Sequence, residues 1–297
     1  MYVLLIYNSN AGNRSFYQNL DIIISKFQAK DQQIIPYKIE EIDKFLKFFR
    51  NLNPRNYSKV LIAGGDGTLN LVITQMLKYG WQTPIGIYPA GTANDYANYF
   101  KLPKKIEDIT DIYTENHFVY SDVGCVNNNY FVNVLSLGFL VNVAQKTGLK
   151  AKNRFGVLAY YLKGLEEAVN VSYTPISLET KAIKIKEEII LMLVLNGTSA
   201  GGFNKMLFDA SVSDGLLDVL IFKKCPIYEL LPLFIKLING EHVSSQYVMH
   251  FKTDYLKIDA DENVLVDLDG EKSVRCPLEI NVCEKVINVL VPKEGII

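Results

Sequence analysis

Short apolar runs alternate with helix-like patterns over roughly the first hundred residues of the chain. The runs at residues 3–7, 34–35, 60–63 and 85–88 predict four strands, and the segments between them carry apolar residues at helical spacing. Because apolar strands that alternate with helices are buried on both faces, this pattern predicts a parallel sheet packed between layers of helices.

The pattern changes near Asp122, where short β-rich stretches replace the alternation. Helical segments near residues 155–169 and 228–237 interrupt these stretches, and Asn239-Gly240 predicts the end of the second segment. This predicts an α/β domain over residues 1–121 and an antiparallel β-sandwich over residues 122–287. The last residues, about 288–297, are expected to pack back on the first domain.

The composition excludes several classes of protein. Lys plus Arg number 31 against 32 Asp plus Glu, a net charge of −1, whereas nucleic-acid-binding proteins usually carry a basic excess. No apolar run reaches the ~20 residues of a membrane span, and the first residues do not resemble a signal peptide. The cysteines form no CxxC pair and are expected to be ordinary buried thiols. We therefore expect a cytoplasmic protein without nucleic acid as partner, in which any membrane contact is peripheral.

A glycine-rich turn, Gly-Gly-Asp-Gly-Thr-Leu-Asn at residues 64–70, lies between the third strand and the next helix. Its glycines allow the backbone to approach a ligand closely, and the helix start presents N–H groups and a positive dipole end to a phosphate. Asp66 would repel phosphates unless a cation such as Mg²⁺ lies between them. Taken alone, the motif leaves open a tight turn without a ligand.

A second glycine turn, Pro-Ala-Gly-Thr-Ala-Asn-Asp at residues 89–95, follows the next strand. Both turns would lie at the carboxyl ends of neighbouring parallel strands, where open sheets bind ligands. The loop at residues 8–12 would form a third edge. Together the three segments predict a nucleotide site, although neither turn has the spacing of a P-loop or of a dinucleotide-binding fingerprint.

These two turns resemble those of the diacylglycerol kinase catalytic-domain family, most closely its bacterial soluble lipid kinases. The resemblance implies a Rossmann-like three-layer nucleotide-binding domain followed by a C-terminal antiparallel β-sandwich domain for the lipid substrate. It also implies ATP-dependent phosphorylation of a lipid hydroxyl, with diacylglycerol giving phosphatidic acid. Further similar motifs are Ser-Asp-Val-Gly at 121–124, Asn-Gly-Thr-Ser-Ala-Gly-Gly-Phe at 196–203, Ser-Asp-Gly-Leu-Leu-Asp at 213–218 and Leu-Asp-Gly-Glu at 268–271.

The resemblance implies that ATP binds to the first domain. Near the phosphates, Asp66, Asp95 and Asp122 would form a carboxylate network that serves Mg²⁺ directly or through water. The chain departs from the family at Ser9, where a proline is usual, and at Tyr37, where a threonine often contacts the nucleotide, so no contact from Tyr37 is expected. The implied ATP contacts are Gly64, Gly65, Asp66, Gly67, Thr68, Leu69, Asn70 and Thr92.

The same resemblance places a general base and a structural metal in the second domain. Asp269 would take the proton from the lipid hydroxyl. Asp214 would bind Mg²⁺ together with the main-chain carbonyls of Leu217 and Val219. In the sequence alone, each aspartate also fits a simple turn, because Asp-Gly is a leading turn dipeptide.

Two other functions remain as alternatives to a lipid kinase. One is a kinase for a soluble acceptor such as NAD, against which the motif at residues 89–95 argues. The other is a nucleotide-binding regulator without catalysis, against which the presence of both glycine turns and Asp269 argues. The expected partner is a lipid at the membrane surface, with a homodimer left open, and the sequence does not identify the lipid.

Overall fold

The chain folds into two compact units in a computed structural model that describes residues 1–8, 16–138, 173–200, 206–207 and 209–293. One unit comprises Met1–Ser121 and Lys285–Ile297, and the other comprises Asp122–Glu284. The chain passes from one unit to the other within strand β5 and returns within strand β15. The predicted helix at residues 155–169 lies outside the described residues.

A parallel sheet forms the centre of the first unit, in the order β2-β1-β3-β4 with the last residues of β15 beside β4. Residues 3–6 and 60–63 are buried on both faces of the sheet, which explains why β1 and β3 are apolar without alternation. The predicted parallel sheet is confirmed. The elements are β1 Tyr2–Asn8, α1 Leu20–Gln28, β2 Ile34–Ile39, α2 Ile42–Arg50, β3 Tyr57–Gly64, α3 Asp66–Lys78, β4 Ile85–Pro89, α4 Asp95–Tyr99, α5 Ile106–Thr114 and β5 Phe118–Val126.

Helix α5 fixes the end of β4 through the hydroxyl of Tyr113. This hydroxyl accepts a hydrogen bond from the Ile87 N–H at 2.7 Å and donates one to the Ile87 carbonyl at 2.6 Å. The Tyr113 ring also fills the space beside Gly86, because a Cβ built on Gly86 would lie 2.8 Å from it. Burial raises the pKa of Tyr113 well above its usual value, so the hydroxyl keeps its proton. The strand that leads into the second glycine turn is therefore held rigidly.

Lys59, a buried residue of β3, holds the carboxyl end of α5. Its Nζ atom donates to the carbonyls of Tyr113 at 2.6 Å, Thr114 at 3.2 Å and Glu115 at 2.7 Å. These carbonyls belong to the end of a helix, where main-chain acceptors lack intrahelical partners and the dipole favours a cation. The ammonium group therefore satisfies several buried acceptors at once.

We expect Lys59→Met to lower the free energy of unfolding by about 2 kcal/mol, because it leaves buried carbonyls without donors. Urea unfolding followed by circular dichroism would measure the change. Lys30→Met is the matched control, since Lys30 is exposed and its bond to Glu115 spans 3.5 Å at the surface. Equal stability of the two variants would contradict this role of Lys59.

Every strand pair described in the second unit is antiparallel. The order is β14-β13-β7-β9-β8-β12-β15, with β10 beside β9 and β11 beside β10. The elements are β6 Asn129–Phe131, β7 Val134–Gly138, β8 Thr174–Glu179, β9 Lys184–Leu195, β10 Leu217–Lys223, α6 Ile227–Asn239, β11 Val248–Thr253, β12 Tyr255–Ala260, β13 Val266–Leu268, β14 Glu271–Val274 and β15 Leu278–Leu290.

Strand β10 separates two apolar cores of the second unit. Val219 and Ile221 belong to the core that also contains residues of β7, β12 and β15, whereas Leu220 and Phe222 belong to the core that contains α6. Both faces of the strand are therefore buried, which explains its continuous apolar run at residues 219–222. Helix α6 ends at Gly240, where φ is +76°, so the predicted helix and its end are confirmed.

Candidate active site

The first glycine turn joins β3 to α3 as the sequence predicts. Strand β3 ends at Gly64 and helix α3 begins at Asp66. A Cβ built on Gly64 would lie 2.5 Å from the side chain of Thr68, so this position excludes larger residues. The Thr68 hydroxyl accepts a hydrogen bond from Asn8 Nδ2 at 3.1 Å, which ties the turn to the end of β1.

The second glycine turn is held in shape by Asn94. Its Oδ1 atom accepts a hydrogen bond from the Gly91 N–H at 2.8 Å, and its Nδ2 donates to the Gly91 carbonyl at 3.0 Å. Asn94 has a left-handed backbone, with φ +52°, which asparagine tolerates better than most residues. Sequence analysis assigned no role to Asn94, although an asparagine in a glycine turn is itself a signal for this conformation.

The two glycine turns are in direct contact. The Ala90 N–H donates to the Gly64 carbonyl at 3.0 Å, and Gly64 lies opposite Pro89 in the paired strands. A Cβ built on Gly65 would lie 3.1 Å from the Cα of Gly91, and a Cβ built on Gly91 would overlap the Cα of Gly65. The predicted convergence of the turns is confirmed, and it depends on glycine at both positions.

Asp66 links the first turn to the start of α4. Its Oδ1 accepts a hydrogen bond from the Tyr96 N–H at 3.3 Å. This N–H lies in the first turn of α4, and the positive end of a helix dipole stabilises a carboxylate there. Burial raises the pKa of Asp66, while main-chain N–H groups of Asn94, Asp95 and Tyr96 act in the opposite direction. Asp66 therefore has a structural role that the sequence did not suggest.

The other residues that were predicted to bind the nucleotide differ in their exposure to solvent. Thr92 is exposed, and Gly65, Gly67 and Asn70 are half-buried. Leu69 is only 4% exposed, and its N–H donates to the Gly65 carbonyl at 3.0 Å. The main-chain N–H groups at the start of α3 precede this bond and have no partner within the helix. A phosphate would therefore meet the start of the helix and Thr92, whereas Leu69 contributes packing.

Asp269 lies in a hairpin turn, and its carboxylate is bound by the main chain of residues 132–134, between β6 and the start of β7. Its φ of +52° and the φ of Gly270, +91°, are those of a tight two-residue hairpin between β13 and β14. Oδ2 accepts from the Val132 N–H at 2.6 Å, and Oδ1 accepts from Asn133 at 3.0 Å and Val134 at 2.7 Å. The turn reading is thus correct, but three N–H bonds to one carboxylate exceed what a turn requires.

Asn196 supports the segment that binds Asp269. Its Nδ2 donates to the carbonyls of Asp122 at 2.8 Å and Val132 at 2.9 Å, and its N–H donates to the Asn133 carbonyl at 2.9 Å. Asn196 Oδ1 is buried and receives no hydrogen bond in the part of the chain that the structure describes. This residue lies in a motif that the sequence singled out without assigning it a role.

The carboxylates of Asp122 and Asp214 both accept hydrogen bonds from main-chain N–H groups of the turn at residues 213–216. Asp122 is fully buried, and its Oδ2 accepts from the Gly215 N–H at 2.8 Å. Asp214 Oδ1 accepts from the Leu216 N–H at 3.2 Å, and its Oδ2 receives a bond from Lys252 Nζ at 3.0 Å. The Asp214 carboxylate is therefore paired with a cation supplied by the chain itself.

The predicted metal ligands provide oxygen atoms of the type that Mg²⁺ prefers. Leu217 and Val219 lie in β10, opposite Thr253 and Phe251 of β11. Among the residues described, no group of three or more His, Cys, Asp and Glu side chains is placed to hold a metal. A Mg²⁺ ion at this turn would thus rely on one carboxylate and main-chain carbonyls, and it would compete with Lys252 for Asp214.

Asp218 and His250 adjoin the ion pair between Lys252 and Asp214 and continue this polar group into the protein interior. Asp218 is 3% exposed; its Oδ1 lies 2.7 Å from His250 Nε2, and its Oδ2 lies 3.7 Å from Lys252 Nζ. Sequence reasoning missed this group, because His250 and Lys252 come from a different strand and carry no local motif.

Comparisons with known proteins agree with this architecture. Residues 2–126 match the family "Diacylglycerol kinase catalytic domain", and residues 133–291 match the family "YegS C-terminal NAD kinase beta sandwich-like domain". The predicted fold class, a Rossmann-like α/β domain followed by an antiparallel β-sandwich domain, is therefore confirmed.

Full-length relatives carry the same family name. Diacylglycerol kinase of Bacillus subtilis (strain 168) is 30% identical over 98% of this chain and 96% of its own length. Diacylglycerol kinase of Staphylococcus aureus (strain MRSA252) is 29% identical over 98% of this chain and 92% of its own. Two solved structures from Bacillus anthracis str. Sterne are similar over 99% of this chain and 98% of the length of theirs. One has a TM-score of 0.82 and is 24% identical, and the other has a TM-score of 0.74 and is 20% identical. The chain is a kinase, and it belongs to the diacylglycerol kinase family.

Proposed function

We propose that this protein is an ATP-dependent lipid kinase that transfers the γ-phosphate of ATP to the hydroxyl of diacylglycerol, giving phosphatidic acid. The observation that carries the proposal is the contact between two glycine turns at the carboxyl ends of β3 and β4 in a member of this family. Contact through glycine alone leaves the main chain accessible to a bulky, charged ligand. The triphosphate is the part of a nucleotide that would fit this main-chain surface.

The phosphates are proposed to bind at the start of α3. The N–H groups of its first turn and the positive end of its dipole attract anions, and the exposed hydroxyl of Thr92 lies on the adjoining turn. Bound Mg²⁺ would neutralise the charge that develops on the phosphates. Asp66, Asp95 and Asp122 are the carboxylates proposed to serve it, directly or through water.

Asp269 is proposed to take the proton of the lipid hydroxyl as the hydroxyl oxygen attacks the γ-phosphorus. Three main-chain N–H groups hold its carboxylate in one orientation, and a general base must be positioned in this way to reach the proton that it takes. The bond from the γ-phosphorus to the bridging oxygen breaks as the new bond forms, and ADP leaves. Phosphoryl transfer depends on such positioning more than on covalent catalysis.

A transfer assay with several acceptors tests the proposal. The protein would be incubated with radiolabelled ATP and Mg²⁺, together with diacylglycerol in mixed micelles, total lipid extract or NAD. We expect label in phosphatidic acid. Label in NADP would support instead the soluble acceptor, to which the name of the second matched family points, and ATP binding without ADP formation on any acceptor would support a regulator.

Peripheral contact with the membrane is proposed to involve helix α6. None of the helices in the described ranges is long and apolar enough to cross a bilayer. One side of α6 packs in the core, but Ile227, Tyr228, Leu231 and Ile235 are 60%, 75%, 49% and 50% exposed. Their spacing places them along one stripe of the helix. Because the proposed substrate is a lipid, we propose that this stripe lies in the lipid interface.

We expect Leu231→Ser combined with Ile235→Ser to reduce co-sedimentation with phosphatidylglycerol-phosphatidylcholine vesicles severalfold, since apolar burial drives interfacial binding. Ile42→Ser, which removes a residue of α2 that is 59% exposed, is the matched control. Unchanged vesicle binding would refute the lipid contact. If the double variant instead loses a dimer seen by light scattering, α6 is the interface of the homodimer that the sequence leaves open.

A structural Mg²⁺ at Asp214, Leu217 and Val219 remains proposed. We expect Mg²⁺ to raise the melting temperature, with stabilisation on the order of 2–3 kcal/mol at ~100 times the dissociation constant, and Asp214→Ala to abolish this rise. Lys252→Met should strengthen the response, because it removes the ammonium that competes for Oδ2. Asp209→Ala is the control, because Asp209 accepts from Lys252 through its main-chain carbonyl, which the substitution keeps. Melting curves insensitive to Mg²⁺ in every variant would refute the site.

A further inference from the structure

Two of the four cysteines, Cys125 and Cys283, form a pair within the second unit. They lie on neighbouring strands, β5 and β15. The Asn127 N–H donates to the Glu279 carbonyl at 3.2 Å, and the Glu279 N–H donates to Asn127 Oδ1 at 2.9 Å. The same strands also meet where the Val291 N–H donates to the His117 carbonyl at 3.0 Å, so they run antiparallel. Cys125 and Cys283 lie between these two contacts, with their side chains close enough to interact.

The two cysteines differ from the others in solvent exposure and in pKa. Cys125 and Cys283 are partly exposed, whereas Cys225 and Cys276 are buried, so the expectation of four buried thiols is wrong for the pair. The hydrogen bond from Cys283 lowers the pKa of Cys125 to about 7 and raises the pKa of Cys283. Burial raises the pKa of Cys276 to about 11 and also raises that of Cys225. Near neutral pH the thiolate therefore forms mainly at Cys125, and the thiolate is the reactive species.

We propose that Cys125 and Cys283 are an oxidation site at which peroxide forms a reversible disulfide between β5 and β15. The Cys125 thiolate attacks one oxygen of hydrogen peroxide; the O–O bond breaks, hydroxide leaves and a sulfenic acid remains. The Cys283 thiol then attacks the sulfenic sulfur, the S–S bond forms and water leaves. Overall the two thiols are oxidised to the disulfide and peroxide is reduced to water, and a thiol reductant reverses the reaction.

The position of the pair connects it with the Asp122 turn. Asp122, on β5, accepts a hydrogen bond from the Gly215 N–H at 2.8 Å. A Cβ built on Gly215 would lie 3.2 Å from the carboxyl carbon of Glu284, the neighbour of Cys283. The disulfide would thus join the two strands that flank this turn. Because it links residues far apart in sequence, it should also restrict the unfolded chain and stabilise the fold.

The test treats the full-length protein with hydrogen peroxide, alkylates the remaining thiols and maps peptides by mass spectrometry. We expect a linked peptide pair that contains Cys125 and Cys283 and separates on reduction, with Cys225 and Cys276 recovered as alkylated thiols. The oxidised protein should melt at a higher temperature than the reduced protein. In the untreated protein, iodoacetamide at neutral pH should modify Cys125 at least about tenfold faster than Cys276.

Single variants separate the two steps. In Cys283→Ser the sulfenic acid at Cys125 should persist and be trapped by dimedone, and oxidation should no longer raise the melting temperature. In Cys125→Ser the thiol of Cys283 should remain reduced. The proposal is overturned if no linked pair forms under peroxide exposure that oxidises free glutathione, or if Cys125 and Cys276 react equally fast. A disulfide that involves Cys225 or Cys276 would overturn it as well.

Discussion

Asp269→Asn is expected to lower kcat for lipid phosphorylation by on the order of 10²–10⁴. The amide is nearly the same size as the carboxylate but cannot take up the hydroxyl proton. Nucleotide affinity should stay nearly unchanged, because the glycine turns belong to the other unit of the chain. Steady-state kinetics with diacylglycerol in mixed micelles, together with calorimetric titration of an ATP analogue, would measure both quantities.

The substitution also has a structural cost that must be measured separately. Three main-chain N–H groups bind the Asp269 carboxylate, and an amide would turn its Nδ2 toward at least one of them. We therefore expect Asp269→Asn to lose on the order of 1–3 kcal/mol of stability, so activity should be assayed well below its melting temperature.

A neighbouring carboxylate provides the matched control for that experiment. Asp267 lies in the same hairpin, and its Oδ1 accepts from the Gly270 N–H at 2.7 Å. The oxygen of an asparagine could still accept this bond, so Asp267→Asn should keep normal turnover. If the folded Asp269→Asn variant kept kcat within about tenfold of the unaltered protein, Asp269 would not be the general base.

The sequence predicts well the features that depend on neighbours along the chain. The apolar run at residues 60–63 followed by glycine specified β3 and its turn, because strand burial and turn geometry are encoded within a few residues. Asp269-Gly270 was likewise readable as a hairpin. The resemblance to the family rests in addition on the order of the motifs along the chain, which is information that no single local pattern contains.

The features missed by the sequence bring together distant segments. Lys252 reaches Asp214 from β11, and Asn196 reaches Val132 from the end of β9. Cys283 meets Cys125 from β15. No local spacing pattern shows that these residues meet, since strand order and register in an antiparallel sheet decide which side chains become neighbours. Their contacts therefore emerge only once the strands are paired.

Gly91→Ala is expected to weaken nucleotide binding by on the order of 10- to 100-fold, because separating the turns would remove a hydrogen bond to the charged phosphates worth about 1.5–3 kcal/mol. A Cβ at this position would overlap the Cα of Gly65 and lie 2.8 Å from Asn94 Oδ1. Main-chain atoms cannot rotate away, so the two turns must separate. Titration with an ATP analogue would measure the loss, and the KM for diacylglycerol should change little.

Gly65→Ala tests the same contact from the opposite side and should have a smaller effect. Its Cβ would lie 3.1 Å from Gly91 Cα, a distance that a shift of a few tenths of an ångström relieves. Gly80→Asn serves as control, since Gly80 lies beyond the far end of α3, with φ +67° and no atom within 4 Å of an added Cβ, and asparagine tolerates that backbone. The expected order of nucleotide affinity is Gly80→Asn, then Gly65→Ala, then Gly91→Ala. If Gly91→Ala binds as tightly as Gly80→Asn, the contact between the turns does not form the nucleotide site.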